Sequence, residues 1–351
     1  WPALAFLSCS LLGEGWGFRL QPCANAPPRL DALDYIGSVG DLPRAVERLS
    51  SHGSPIAVRC VDQSFGVGRA GRLSLIQMSV PRYTAILDLQ TIGAETLLGD
   101  GSGISPLLQD PARLKVFFES RYDLDALEHQ FGVRVEGVLD LRLADVFLRR
   151  DGIAEQVARA RRYLPSKFRP WRRHLLVKLR CFDEVLDDYG VAPCLGCARA
   201  LFDARVWGER PLSKRLLEVA FHEVINVRLL FETMRALPRY RAAERGILEA
   251  SARLANHLRD LVRLPEEVYS DHPFLPLCIM DGVPNVSRDA PRVLCPKCMQ
   301  RLPRAIFPEG FAQRWNFRCD VCRAAEAYEL FQQAFVHAFE DALTYHLQLA
   351  D

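Results

Sequence analysis

Six of the chain's 11 cysteines fall in three Cys-x-x-Cys pairs, Cys194/Cys197, Cys295/Cys298 and Cys319/Cys322. The last two pairs are separated by 20 residues. Each two-residue spacer turns both sulfurs toward one point, and two such turns supply the four thiolates of a tetrahedral zinc site. Protein sulfur would fill all four positions, so zinc at Cys295, Cys298, Cys319 and Cys322 is expected to be structural, with no place for an activated water. Cys194 and Cys197 lack an equally clear partner pair, and redox, metal-binding and buried-hydrophobe roles stay open for them, the last being the ordinary one. Clustered cysteines of this kind fit a reducing, intracellular compartment, the mitochondrial matrix being one candidate.

The second chemical signal is a run of charge. From Arg149 to Arg180 there are 11 arginine or lysine residues, opposed only by Asp151 and Glu155, with Tyr163, Phe168 and Trp171 interleaved. Cations paired with flat rings suit the phosphates and bases of single-stranded RNA. Arg150, Arg161, Arg162, Lys167, Arg169, Trp171, Arg172 and Arg173 are the candidate RNA contacts. The ordinary alternatives are a solvated helix face or an interface with an acidic protein. Whole-chain charge does not decide between them, because 45 basic and 43 acidic residues leave a net charge of only +2. A third motif, Gly66-x-Gly68-x-x-Gly71, spells a dinucleotide fingerprint but leads into a strand instead of a helix, so no helix N-terminus would face a pyrophosphate. Those glycines are expected to supply positive φ angles in a hairpin connector.

These groups must be carried by regular elements. Ile56–Val61 and Leu73–Met78 read as the strands of a hairpin, Tyr83–Leu89 and Leu114–Phe118 as further strands, and Tyr122–Phe131 as a helix. Leu139–Phe147 and Arg180–Tyr189 read as short helices, followed by long ones over Leu212–Met234 and Arg241–Val262, a loop over Pro265–Pro291 and a last helix over Ala324–Leu349. With 351 residues, 49% of them hydrophobic, the chain can bury one large α/β core plus an appendage. No apolar run approaches the ~20 residues of a membrane span, and no membrane insertion is expected. The sequence opens on Trp1, so it is silent about any targeting segment.

The stretch Ile56–Phe147 resembles the RNase D-like 3'-5' exonuclease domain. Leu73-Ser74-Leu75-Ile76-Gln77 matches the family's second strand. Arg121-Tyr122-Asp123-Leu124-Asp125-Ala126-Leu127 resembles its second motif, continued by His129-Gln130-Phe131-Gly132 and Leu139-Asp140. Trp207-Gly208-Glu209-Arg210-Pro211-Leu212 is similar to the Trp-x-x-Arg-Pro-Leu leading into the third motif, Tyr-Ala-x-x-Asp, which here becomes Val219-Ala220-Phe221-His222-Glu223. The resemblance runs over roughly residues 55–235, interrupted by the basic insert. It implies an RNase H-like fold in which four carboxylates hold two divalent ions, one helping to form the attacking hydroxide and the other stabilising the leaving oxygen.

This chain departs from that pattern. The Asp-x-Glu of the first motif falls on Arg59-Cys60-Val61, the water-orienting tyrosine is Val219, and the final aspartate is the longer Glu223. Asp123 alone is unchanged. An arginine repels Mg²⁺ but pairs with carboxylates, so Arg59 is expected to replace the ion's charge beside Asp123 or Glu223. The other register puts Asp62 or Gln63 in the motif, but strand alternation turns Asp62 away from the face of Arg59 and Val61.

The expected architecture is α/β: an RNase H-like mixed sheet of about five strands with flanking helices, plus a helical C-terminal region with a small zinc ribbon. Residues 1–50 form an N-terminal extension, 51–236 the degenerate exonuclease-like domain with its basic insert at 149–180, and 237–351 the C-terminal region. Arg59, Val61, Asp123, Val219 and Glu223 make a site without catalytic residues. The expected function is that of an inactive exonuclease-like protein that binds RNA or serves as an architectural subunit of an RNA-protein assembly, as inactive members of the family do. Two alternatives stand beside it: an active exonuclease holding one ion through Asp123, Glu223 and Asp140 or Asp62, and a purely protein-binding scaffold of a large, organellar complex.

Overall fold

The computed structural model describes residues 32–149 except 52, 64–67, 70 and 100, then 176–192, 204–259 and the C-terminal pieces 274–276, 292–297, 301–304, 307, 318–319 and 322–323. The candidate RNA contacts from Arg150 to Arg173, the pair Cys194/Cys197, Cys298 and the expected helix at 324–349 lie outside them.

Six strands form the main sheet in the order β1-β4-β3-β2-β5-β6, with β1 Leu33–Ile36, β2 Ile56–Asp62, β3 Leu73–Val80, β4 Tyr83–Asp88, β5 Lys115–Phe117 and β6 Val138–Asp140. The sheet is mixed, because β3 runs antiparallel to both β2 and β4 while β1, β5 and β6 pair in parallel with their neighbours. It has two strands that the sequence reading did not name: β6, whose last two residues fall where a helix was expected, and β1. β1 is a four-residue edge strand within the segment read as an extension, and both strands are too short for alternation to register.

Every residue of β3 and β4 is buried, as in sheets covered on both faces. The period of two divides β2 between the layers. Ile56, Val58 and Cys60 join a core with Leu42, Ala45 and Leu49 of α1 (Leu42–Ser51) and Leu124 and Leu127 of the long helix that follows β5. Ala57 and Val61 join the opposite core with Leu75 and Ile86. Helices α2 (Leu89–Ile92), α3 (Ala94–Leu98) and α4 (Ile104–Gln109) cross from β4 to β5, and α5 (Ser120–Phe131) leads to β6 and α6 (Leu141–Leu148).

A small two-stranded sheet, β7 (Leu176–Lys178) with β8 (Phe274–Pro276), brings a segment expected to be loop back to the domain. Val177 and Leu275 share a core with Leu143 and Val146 of α6 and with Ala250 and Leu254. Next in chain order are α7 (Phe182–Asp188), α8 (Lys214–Ala236) and α9 (Pro238–Arg259). The sequence boundary drawn at 236/237 falls between α8 and α9. Ile247 and Ala255 of α9 enter the two main cores, and the Asp140 backbone N–H donates to Ser251 Oγ of α9 at 3.0 Å.

A buried ion pair fixes the start of α8. Arg210 donates from Nε and Nη2 to the two carboxylate oxygens of Asp88 at 2.5 and 2.7 Å, and from Nη2 to Ser74 Oγ at 3.0 Å. The Ser74 hydroxyl donates in turn to the Trp207 carbonyl at 2.6 Å, and Tyr35 donates to the same Asp88. Burial pushes the Asp88 carboxyl up, yet hydrogen bonds from Arg210, Tyr35 and Thr91 outweigh it and hold the group below its ordinary range.

Removing Arg210 strands this carboxylate, and Arg210→Met is expected to lower unfolding free energy by about 3 kcal/mol in urea titrations at neutral pH. A depressed carboxylate contributes stability that is complete above its unfolded value of 3.8 and is lost as pH falls through the lower folded value. The variant and the parent should therefore converge once pH has fallen through that lowered folded value.

Candidate functional site

The parallel strands β2, β5 and β6 end at one edge of the sheet, which is where open α/β sheets carry ligands. Arg59, midway along β2, projects on the face covered by α8, the face of Val61, Leu75, Val219, Ala220 and Val224. Asp123 arrives from the first turn of α5 and accepts the Cys60 backbone N–H at 3.2 Å. Glu223 reaches down from α8 and places Oε2 4.0 Å from Arg59 Nε, its side chain 8% exposed against 25% for the arginine. Helix α7 closes the far side: the Arg59 guanidinium lies 5.6 Å from the centre of the Phe182 ring, which packs on Phe118 with centroids 4.6 Å apart.

The structure thus brings Arg59, Val61, Asp123, Val219 and Glu223 to one end of the sheet. It adds Phe182 and Asp183, which the sequence reading missed. Their signal was weak because α7 follows the insert and carries no motif of its own.

The electrostatics are those of buried acids around the Arg59 cation. Burial drives the Asp123 carboxyl up to about 7; Arg59 and the Cys60 N–H draw it down, while Asp140 and Glu223 push it further up. Asp183 is likewise raised by burial, with Arg59 opposing. Burial also lifts the Cys60 thiol well above its usual range, helped by Asp123, so that residue is an inert core group.

The two further carboxylates considered as metal ligands have other tasks. Asp140 caps α6 through Arg142 N at 2.8 Å and accepts from Ser120 N and Oγ at 2.8 and 2.7 Å. Asp62 lies beyond a β-bulge at Val61/Asp62 and accepts Arg72 N at 3.0 Å across the hairpin. Gly68 in the connector has φ 127°, and β3 follows the glycines directly, as a hairpin requires. Helix α5 secures the connector through Asp125, which accepts Arg69 N at 2.7 Å and Nη2 at 2.9 Å.

A second cluster lies at the C-terminal end. Strands β9 (Arg292–Leu294) and β10 (Arg301–Pro303) form a hairpin beside Cys295, Cys319 and Cys322, three buried residues whose sulfurs all lie within 4.8 Å of one another. Cys319 N donates to Cys295 Sγ at 3.3 Å and Cys322 N to Cys319 Sγ at 3.4 Å, bonds that favour thiolates. Zn–S bonds of about 2.3 Å set tetrahedral sulfur pairs about 3.8 Å apart, and Cys295 and Cys322 stand at 3.9 Å. Among the described residues this is the one group of three or more acidic, His or Cys ligand atoms so closely gathered.

With this geometry in place, comparison with known proteins gives a consistent picture. Residues 41–153 match a family described as 3'-5' exonuclease. The resemblance to an exonuclease thus lies in this stretch, about a third of the chain. Over 68% of its length it superposes on 66% of Trypanosoma brucei RNase D in its GMP complex, with TM-score 0.52 and 21% identity. For the complex of that enzyme with RNA U12 the values are 68% of this chain, 73% of the other, TM-score 0.50 and 22% identity. These two likenesses establish the fold.

Among curated proteins, the piRNA biogenesis protein EXD1 of Xenopus laevis is 29% identical over 93 residues, which is 26% of this chain and 20% of that protein. Its Mus musculus counterpart is 30% identical over 80 residues, or 23% of this chain and 14% of that protein. The matched stretch is therefore a minor part of both relatives. Among the described residues no helix is long and apolar enough to cross a membrane.

The exonuclease domain's retained Asp123 provides a direct test of how its carboxylates are compensated. A carboxyl raised to about 7 from 3.8 contributes its stability below the unfolded value, and has lost it once pH has risen through the folded one. Asp123→Asn is therefore expected to be more stable than the parent at pH 8, by about 1–3 kcal/mol, and to lose that advantage toward pH 4. Urea titrations across this range check it, and a variant equally destabilised at every pH would contradict it.

Proposed function

We propose that this chain is a catalytically inactive exonuclease-like protein that binds RNA as an adaptor or architectural subunit of an RNA-protein assembly. The observation that carries this reading is the position of Arg59. By the family's order of motifs it stands where the first metal-binding aspartate would be, and in the fold it lies among Asp123, Glu223 and Asp183. An internal guanidinium neutralises acids that would otherwise need an ion, and repels the ion itself. Val61 and Val219, both buried and apolar, replace a carboxylate and a water-orienting hydroxyl at the other family positions. Asp140 and Asp62 are engaged in helix-cap and hairpin hydrogen bonds, which disfavours a one-ion enzyme built on them.

The RNA part of the proposal rests on the basic, aromatic-interleaved insert at 149–180 and on relatives named for piRNA biogenesis. In a site already neutralised by Arg59, a phosphodiester gains little, so binding is assigned to the insert. The C-terminal thiols are assigned to a structural zinc ion with Cys295, Cys298, Cys319 and Cys322 as ligands. Its four sulfur ligands would tie β9 and β10 to the segment around Cys319 and Cys322, and zinc binding and folding of the module would be coupled.

Incubation with 5'-labelled single-stranded RNA and Mg²⁺ or Mn²⁺ should give a gel shift without trimming. Trimming abolished by Asp123→Ala would make the protein a divergent enzyme, and neither shift nor trimming would favour a protein-binding scaffold. Replacing Arg161, Arg162, Arg172 and Arg173 together with Ala should lower the slope of log affinity against log salt by about 3 if all four contact phosphates. An unchanged slope would remove the insert from the RNA interface. Elemental analysis should find one zinc per chain, reduced severalfold in Cys295→Ser with the C-terminal module unfolded, and equal zinc content in that variant would refute the site.

A further inference from the structure

Beneath α8, beside the site, lies polar chemistry that neither catalysis nor RNA binding uses. Gln77 in β3 is fully buried, and neither its amide oxygen nor its amide nitrogen has a hydrogen-bond partner among the described residues. Arg59 Nε is also buried and without such a bond, and its approach of 4.0 Å to Glu223 Oε2 exceeds hydrogen-bonding distance. These are not scattered defects. Arg59 and Gln77 are direct register partners of antiparallel β2 and β3, so their Cβ atoms stand about 4.5–5.5 Å apart on one face. Gln77's partner on the other side is Ile86 of β4, which offers the amide nothing. The face they share is the one covered by Val219, Ala220 and Val224, from the helix that delivers Glu223.

We propose that Gln77, Arg59 and Glu223 enclose a binding site for ordered water, and that bound water completes the hydrogen bonding of the arginine. An amide presents two donors and two acceptor lone pairs, and leaving one buried and unsatisfied costs about 1–3 kcal/mol. A water molecule supplies the missing partners. It accepts from Arg59 Nε–H or Gln77 Nε2–H and donates to Glu223 or Gln77 Oε1, the pattern of about three bonds typical of structural water. The ligand is water in place of a further ion because Arg59 already brings positive charge to Glu223 and Asp123. The water would also explain how Arg59 is retained at 4.0 Å from the carboxylate without direct contact. The inference is independent of whether the chain binds RNA.

An atomic-resolution crystal structure of the whole chain tests it. Solvent density within hydrogen-bonding distance of both the Gln77 amide and Arg59 Nε is expected; a dry site, or an amide bonded directly to protein atoms, overturns the proposal. Gln77→Leu, similar in volume, poses the same question in solution. With water bound, losing the amide leaves water and arginine short of partners, and the folded-to-unfolded ratio should fall about tenfold. In a dry site the same change removes an unsatisfied amide and the ratio should rise, which would overturn the proposal. Gel shifts with the variant read RNA binding separately, so a failure here is distinguishable from a failure of the adaptor reading.

Discussion

Negative charge is costly to bury, and the end of the sheet where β2, β5 and β6 stop gathers several carboxyl groups in a small space. Asp123, Glu223 and Asp140 are buried there, and each must be neutralised, protonated or hydrogen-bonded. The chain uses all three solutions. Asp140 is satisfied by Ser120 and Arg142 backbone and side-chain donors, Asp123 moves toward the protonated form, and Arg59 supplies a cation near Asp123, Glu223 and Asp183. A covalently attached guanidinium brings positive charge to these acids. Unlike an ion, it offers no coordination position to a water or a phosphoryl oxygen.

What holds the fold lies largely outside the Arg59 site. The Arg210–Asp88–Ser74–Trp207 network joins β3, β4 and the approach to α8 with buried, multiply bonded groups, and α8 follows from it whether or not its residues bind metal. Val61 and Val219 gain burial in the same apolar core. Apolar groups there need only packing.

Much of this architecture is legible in the residues. The alternation of β2 and β3, the period of α8, and Asp123 at the start of α5 all rest on local patterns, and local patterns are what a sequence displays. Long-range pairings are not. Arg210 and Asp88 are separated by 122 residues, and nothing local to either announces the other. The short strands β7 and β8 defeat periodicity because three residues define no period, and they exist because each completes the other across nearly 100 positions of chain. The bulge at Val61/Asp62 was equally hidden: alternation alone puts Asp62 opposite Arg59, whereas its actual partner is the backbone of Arg72. Phe182 and Asp183 entered the site for a similar reason, since α7 is placed by the fold.

The two chemical centres also differ in what their side chains require. At the thiol cluster, backbone N–H groups already point at Cys295 and Cys319 sulfurs, so negative charge on sulfur is favoured and a cation would complete the arrangement. At the Arg59 site the cation is built in, and the Gln77 amide and Arg59 Nε, without hydrogen-bond partners among the described residues, call for a neutral hydrogen-bonding molecule. A soft dication suits the first and conflicts with the second. Soft-metal affinity is thus a property of the thiol cluster, while positive charge at the sheet edge comes from Arg59.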